Sequence, residues 1–141
     1  MEYVNQAAKN MPSNIFLSFA MEHKNLVDRF RRQVKDSCSA LNLRDYSIKE
    51  PVEGAWKAHA EQRIRASAAT ICLVGDCTWQ SEPVNWEVRK SAELHKRVLA
   101  VYLQSEIKKV PAALSEIGVR PMPWNINAIV GELNGAEQRA T

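Results

Sequence analysis

Apolar positions along the chain follow two alternating rhythms. Residues 14–20, NIFLSFA, form a short run dense in aromatic and branched side chains, the pattern of a strand buried on both faces. Leu26, Val27, Phe30 and Val34 then recur at helical spacing among Asp28, Arg29, Arg31 and Lys35. That spacing predicts an amphipathic helix over 24–38 with one stripe against a core. Residues 41–46 alternate apolar and polar, as a half-buried edge strand does, and a loop is expected through Pro51 and Gly54. Trp56, Ala60 and Ile64 lie four apart between Glu61, Arg63 and Arg65 and mark a second helix of about three turns.

The run ATICLVG at 69–75 is near-continuously apolar, the mark of a central parallel strand. Val84, Val88 and Ala92, flanked by Glu87, Arg89, Lys90 and Glu93, predict a third helix, and RVLAVYL at 97–103 a fourth strand. A short helix is expected at 112–117. Beyond it Pro121 and Pro123 restrict any fifth strand to a short edge, and a last helix is predicted over 125–134. Strands alternating with amphipathic helices specify an α/β fold, a mostly parallel sheet of about five strands with helices on both faces. At 141 residues and 15.9 kDa the chain suits one core, read as a leader at 1–13 and a single domain at 14–141.

Composition narrows the partners. Nineteen Lys and Arg stand against 16 Asp and Glu, for a net charge of +3. The two signs are interleaved without a block of like charge, so no nucleic-acid partner is expected. The longest apolar stretch falls well short of the roughly 18 residues of a membrane span, and no basic segment followed by a hydrophobic one opens the chain. The expectation is a cytoplasmic protein without a membrane partner. Cys38, Cys72 and Cys77 form an odd set without CxxC spacing, which argues against a disulfide framework and against a zinc site. His23, His59 and His95 lie apart beside polar neighbours. They are expected at the solvated surface, and no metal ligand is assigned.

In parallel sheets ligands gather beyond the carboxyl ends of the strands, here residues 18–22, 45–50, 75–79 and 103–105. With five glycines and none directly after the first strand, a GxGxxG dinucleotide turn and a P-loop are excluded, and no GxSxG elbow is present. Asp76 stands where a response-regulator domain carries its phospho-acceptor, but the first strand lacks the acid pair that would hold magnesium. What remains is the segment 75–87, GDCTWQSEPVNWE, with Trp79, Trp86 and Glu87. Tryptophan faces can stack on a flat heteroaromatic ring, and a carboxylate near a helix start can accept hydrogen bonds from sugar hydroxyls. The plainer alternative is that Glu87 complements the helix dipole and Trp86 packs in the core.

Several landmarks in order resemble the Toll/interleukin-1 receptor (TIR) domains, in particular the bacterial TIR-like proteins of Thoeris antiphage defence. They are IFLSF at 15–19, RDYSIKEP at 44–51, Trp56-Lys57, the strand end Leu73-Val74-Gly75 with Thr78 after it, and Trp86-Glu87. The likeness covers about residues 14–103. It implies a flavodoxin-like, three-layer fold and, in catalytic members, cleavage of the nicotinamide–ribose bond of NAD. NAD is then a substrate, with no cofactor. The product would be a cyclic or conjugated ADP-ribose nucleotide that diffuses to a separate effector protein. By the same resemblance Glu87 matches the catalytic glutamate. Ser18, Phe19 and Ala20 match a nucleotide-lining turn, with Thr78, Trp79 and Trp86 completing the substrate side. Asp45 and Ser47 fall in or beside the loop through which TIR domains self-associate.

Elementary chemistry agrees with this assignment. Losing nicotinamide leaves an oxocarbenium-like ribose, and a nearby carboxylate stabilises that charge more in the transition state than in the ground state. The leaving group is cationic before it departs and neutral afterwards, so no strong general acid is required. Two alternatives stay open on the sequence: a non-catalytic TIR-like interaction module, and a small protein that processes another nucleoside.

Overall fold

A computed structural model describes residues 13–38, 41–45 and 53–140, with side chains at 14–38, 41, 43 and 55–133. Four parallel strands form one sheet in the order β2-β1-β3-β4: β1 (Ser13–Ser18), β2 (Leu41–Asp45), β3 (Ala69–Val74) and β4 (Arg97–Tyr102). Each connection between successive strands carries a helix: α1 (Lys24–Ser37), α2 (Glu53–Arg65) and α3 (Glu82–Glu93). The short α4 (Ala112–Glu116) and then α5 (Ile126–Ala140) follow β4. The chain leaves β1 for β2 on one side and crosses to β3 on the other. The order therefore reverses between β1 and β3, the place where open α/β sheets bind ligands.

Strand periodicity sorts the side chains onto two faces. Ile15, Leu17 and Phe19 of β1 and its extension join Ala69, Ile71 and Leu73 of β3 and Leu99 and Val101 of β4. Together they pack under Val27, Phe30 and Val34 of α1 and Ile129 and Leu133 of α5. The half-buried Leu41 and Leu43 put β2 at the rim of this core, as its alternating pattern predicts. On the opposite face Phe16 meets Trp56, Ala60 and Ile64 of α2. Cys72, Val74 and Ala100 meet Val84 and Val88 of α3 and Ala113 and Leu114 of α4. Helices α1, α2 and α3 turn the stripes their spacing marks toward the sheet, with Leu26 and Ala92 half-buried at the margins.

The short fifth edge is minimal, and two helix bounds differ from expectation. The fifth strand is reduced, among the described residues, to a single bridge between Val101 and Met122. Met122 donates to Ala100 O at 2.8 Å and accepts from Tyr102 N at 2.9 Å. The prolines on either side have no N–H with which to extend the ladder. Helix α2 begins at Glu53, so Gly54 lies in its first turn and not in a loop. The final helix runs past 134 to Ala140. Most of the leader, residues 1–12, lies outside the described residues, and Ser13 already belongs to β1.

Candidate active site at the β1–β3 crossover

The centre of the site is a buried hydrogen bond between two segments far apart in sequence. Ser18, at the carboxyl end of β1, donates from Oγ to Glu87 Oε1 at 2.7 Å, and both residues are fully buried. Glu87 was expected at the start of its helix. Because α3 opens at Glu82, Glu87 instead stands in the second turn. It occupies the inward stripe with Val84, Val88 and Ser91, the i, i+3, i+4, i+7 spacing of a core-facing row. A carboxylate in that row is costly unless it is hydrogen-bonded, and Ser18 supplies one such bond.

The helix that carries Glu87 is anchored at both ends. Ser81 caps its N-terminus by accepting from Val84 N at 3.3 Å. Asn85 donates to the carbonyls of Ser81 and Trp79 and accepts from Ala113 N at 2.9 Å, tying the preceding turn and α4 to α3. One turn beyond Glu87, Ser91 Oγ donates to the Glu87 carbonyl at 2.8 Å. That uses its only proton, so the 2.8 Å contact between Ser91 and Thr70 must have Thr70 of β3 as donor. A polar seam thus joins α3 to the strands.

Cys72 pairs in register with Ser18 across β1 and β3. Burial pushes its thiol far above the ordinary range, and the negative charge of Glu87 adds to the effect. Cys72 is therefore a neutral thiol at physiological pH and no nucleophile.

The remaining candidates fall in different places. Ala20 is buried, and its carbonyl accepts from His23 N at 2.9 Å. Phe19 is buried in the apolar cluster under α1 and α5, on the sheet face opposite Glu87. Thr78 is buried too, and its hydroxyl accepts from Gly75 N at 2.8 Å while Thr78 N donates to Gly75 O at 3.3 Å. It closes the turn after β3. Trp79 is exposed beneath the Lys109 ammonium, 4.2 Å from the ring centroid. Trp86 packs edge-to-face on Trp56, with centroids 5.2 Å apart, and lines a cleft of about 440 Å³ with Lys57, Pro83, Asn85 and Arg89. The two tryptophans and Glu87 therefore point to three different surroundings. Asp45 ends β2 beside Leu17, its side chain outside the described residues, and Ser47 lies outside them altogether.

One group at this end of the sheet was missed. His23, expected at the surface, is 6 % exposed, and its ring lies so close over Gly75 that a Cβ there would run into it. His23 Nε2 stands 3.3 Å from Cys77 Sγ and 3.6 Å from Asp76 Oδ1. Burial and the charges of Glu22 and Asp76 hold the Cys77 thiol above its usual value. Fifty-four residues separate Cys77 from His23, so no spacing rule could join them. Gly75, directly after β3, was the one local sign of a close approach.

A parallel sheet in the order β2-β1-β3-β4 with helices on both faces places the chain in the flavodoxin-like, three-layer α/β class. Residues 16–108, some two thirds of the chain, match the family described as Thoeris protein ThsB, TIR-like domain, and the chain belongs to that family. Among solved structures it is similar to the TIR domains of the activated Roq1 resistosome directly recognizing the pathogen effector XopQ. There the identity is 19 % and the TM-score 0.49, over 64 % of this chain and 57 % of that one. The chain thus spans little more than half of that structure's length. No curated protein matches it. No helix among the described residues is long and apolar enough to cross a membrane.

Proposed function

We propose that this TIR-like protein cleaves the nicotinamide–ribose bond of NAD, with Glu87 as the catalytic carboxylate. The ADP-ribose portion would become a cyclic or conjugated nucleotide that activates a separate effector in antiphage defence. The observation that carries the reading is the Ser18–Glu87 pair, buried where the strand order reverses. Glu87 would stabilise the oxocarbenium-like ribose as nicotinamide departs, and Ser18 would hold the carboxylate in a fixed orientation, so that little reorganisation is needed as charge develops. Because both residues are buried, the side chains covering them must move before a ribose can reach the carboxylate. Self-association through the loop after β2, whose residues 46–52 lie outside the described residues, would complete the site. An isolated chain is accordingly expected to turn over NAD slowly, at a rate that rises with protein concentration.

The burial of Glu87 also favours a second reading, a non-catalytic interaction module in which this carboxylate only ties α3 to β1. The two part on one experiment. Pure protein is incubated with NAD over a range of protein concentrations, with free nicotinamide and the nucleotide products followed by mass spectrometry. Nicotinamide release that disappears in Glu87→Gln supports the enzyme. A folded wild-type protein that releases none at any concentration, alone or with extract of infected cells, leaves the module.

A further inference from the structure

We infer that His23, Asp76 and Cys77 form a binding site for one zinc-class divalent cation above the β1–β3 crossover. The ligating atoms of the three residues all lie within 4.8 Å of one another, close enough to converge on one ion. Tetrahedral zinc, with bonds of about 2.3 Å to sulfur, 2.0–2.1 Å to imidazole nitrogen and 2.0–2.2 Å to carboxylate oxygen, sets nitrogen and sulfur about 3.6 Å apart and nitrogen and oxygen about 3.4 Å apart. The observed separations from His23 Nε2 are 3.3 Å to Cys77 Sγ and 3.6 Å to Asp76 Oδ1. Both separations from the imidazole nitrogen lie within about 0.3 Å of the tetrahedral values.

The His23 ring and the turn bearing Asp76 and Cys77 are held in place, with the Asp76 carboxylate exposed above them. His23 is fixed by its backbone bond to Ala20 and by its ring resting on Gly75. The turn bearing Asp76 and Cys77 is closed by Thr78 on one side and by Asp76 N donating to Gln104 Oε1 at 2.9 Å on the other. A thiolate with an imidazole selects a borderline-soft ion over magnesium or calcium. On binding, the Cys77 S–H bond breaks, its proton passes to the buffer and an S–metal bond forms. His23 contributes a neutral nitrogen. The thiolate and the Asp76 carboxylate together balance a 2+ charge, and one coordination position remains for water or for the nearby Glu22. The ion would clamp the turn after β1 to the turn after β3, at the rim of the Ser18–Glu87 site.

The test is a titration of tag-free, metal-stripped full-length protein with Co²⁺ as a spectroscopic probe, followed by Zn²⁺ competition. Expected are one equivalent bound per chain, a thiolate-to-cobalt charge-transfer band, and its loss when Zn²⁺ displaces Co²⁺. Cys77→Ala should abolish the band and Asp76→Asn should weaken binding by about tenfold or more, whereas Cys38→Ala should bind as wild type. Circular dichroism checks that each variant is folded. A folded wild type with no charge-transfer band would overturn the site and leave a thiol–imidazole hydrogen bond in its place. A band undiminished in Cys77→Ala, a band lost in Cys38→Ala, or undiminished affinity in Asp76→Asn would overturn it equally.

Discussion

The two faces of the sheet are built on different principles. Under α1 and α5 the fully buried contact is apolar, from Ile15 and Leu17 on β1 to Phe30 on α1 and Ile129 on α5, with the Arg97–Glu132 pair and the Arg31 bond to Leu43 O at its half-buried rim. Under α2 and α3 the same strands present Ser18, Thr70 and Cys72, and α3 answers with Glu87 and Ser91. One face keeps its polar contacts at the half-buried rim, whereas the other must match donors and acceptors in its interior, and no buried side-chain nitrogen or oxygen among the described residues lacks a partner. Apolar contact tolerates substitution of similar volume, while a polar seam demands particular atoms. The seam face is therefore where function is expected to reside, and the apolar face is the platform that keeps it rigid.

The sharpest way to break this contrast is to damage each face separately. Phe30 is fully buried and meets Trp124 edge-to-face at 5.8 Å. Phe30→Ala should cost about 3–5 kcal/mol of stability, read as a lower denaturation midpoint with an unchanged denaturant slope. Any activity should fall only as far as the folded fraction does. A variant that stayed stable yet lost activity would erase the distinction between platform and seam.

On the other face Glu87→Gln retains an acceptor for Ser18 and removes the buried charge. Nicotinamide release should fall by about 10²- to 10³-fold, the scale of losing one preorganised electrostatic contact, with a Tm equal to or above that of wild type. Wild-type release from a folded Glu87→Gln protein would return Glu87 to a purely structural role. Ser18→Ala should be milder. It leaves Glu87 Oε1 without this donor in a buried setting, at a cost of about 1–3 kcal/mol, with a partial loss of activity measured in the same assay. Full activity and full stability in Ser18→Ala would mean that the pair does not organise the site.

The smallest effect is one of pH. The Cys72 thiol is held protonated in the native state but ionises near pH 8.5 when the chain unfolds. Its contribution is complete below that pH. Above it the unfolded chain binds fewer protons than the native one, so stability falls by about 1.4 kcal/mol per pH unit. Cys72→Ala should show a shallower decline between pH 8.5 and 10 in chemical denaturation, since the other titrating groups are common to both proteins. Identical slopes would show that the thiol is not shielded as its position on β3 implies.

Periodicity alone determined the elements of this protein. Each strand and helix is a local pattern of burial, and β1, β3, α1 and α3 appear within a few residues of where the apolar spacing puts them. The family likeness was legible for the same reason, because its landmarks sit at element ends that the pattern marks. Only the tertiary structure decided what the polar residues do. Glu87 reads as a helix-terminal charge until the helix is seen to start at Glu82 and to turn the carboxylate inward onto Ser18, 69 residues away. His23 reads as a solvated side chain until Gly75 makes room for its ring beside Asp76 and Cys77. Burial periodicity is carried by neighbours along the chain, whereas hydrogen bonds and ligand sets are carried by neighbours in space, and parallel pairing of β1 with β3 brings together residues whose separation in sequence leaves no trace of their contact.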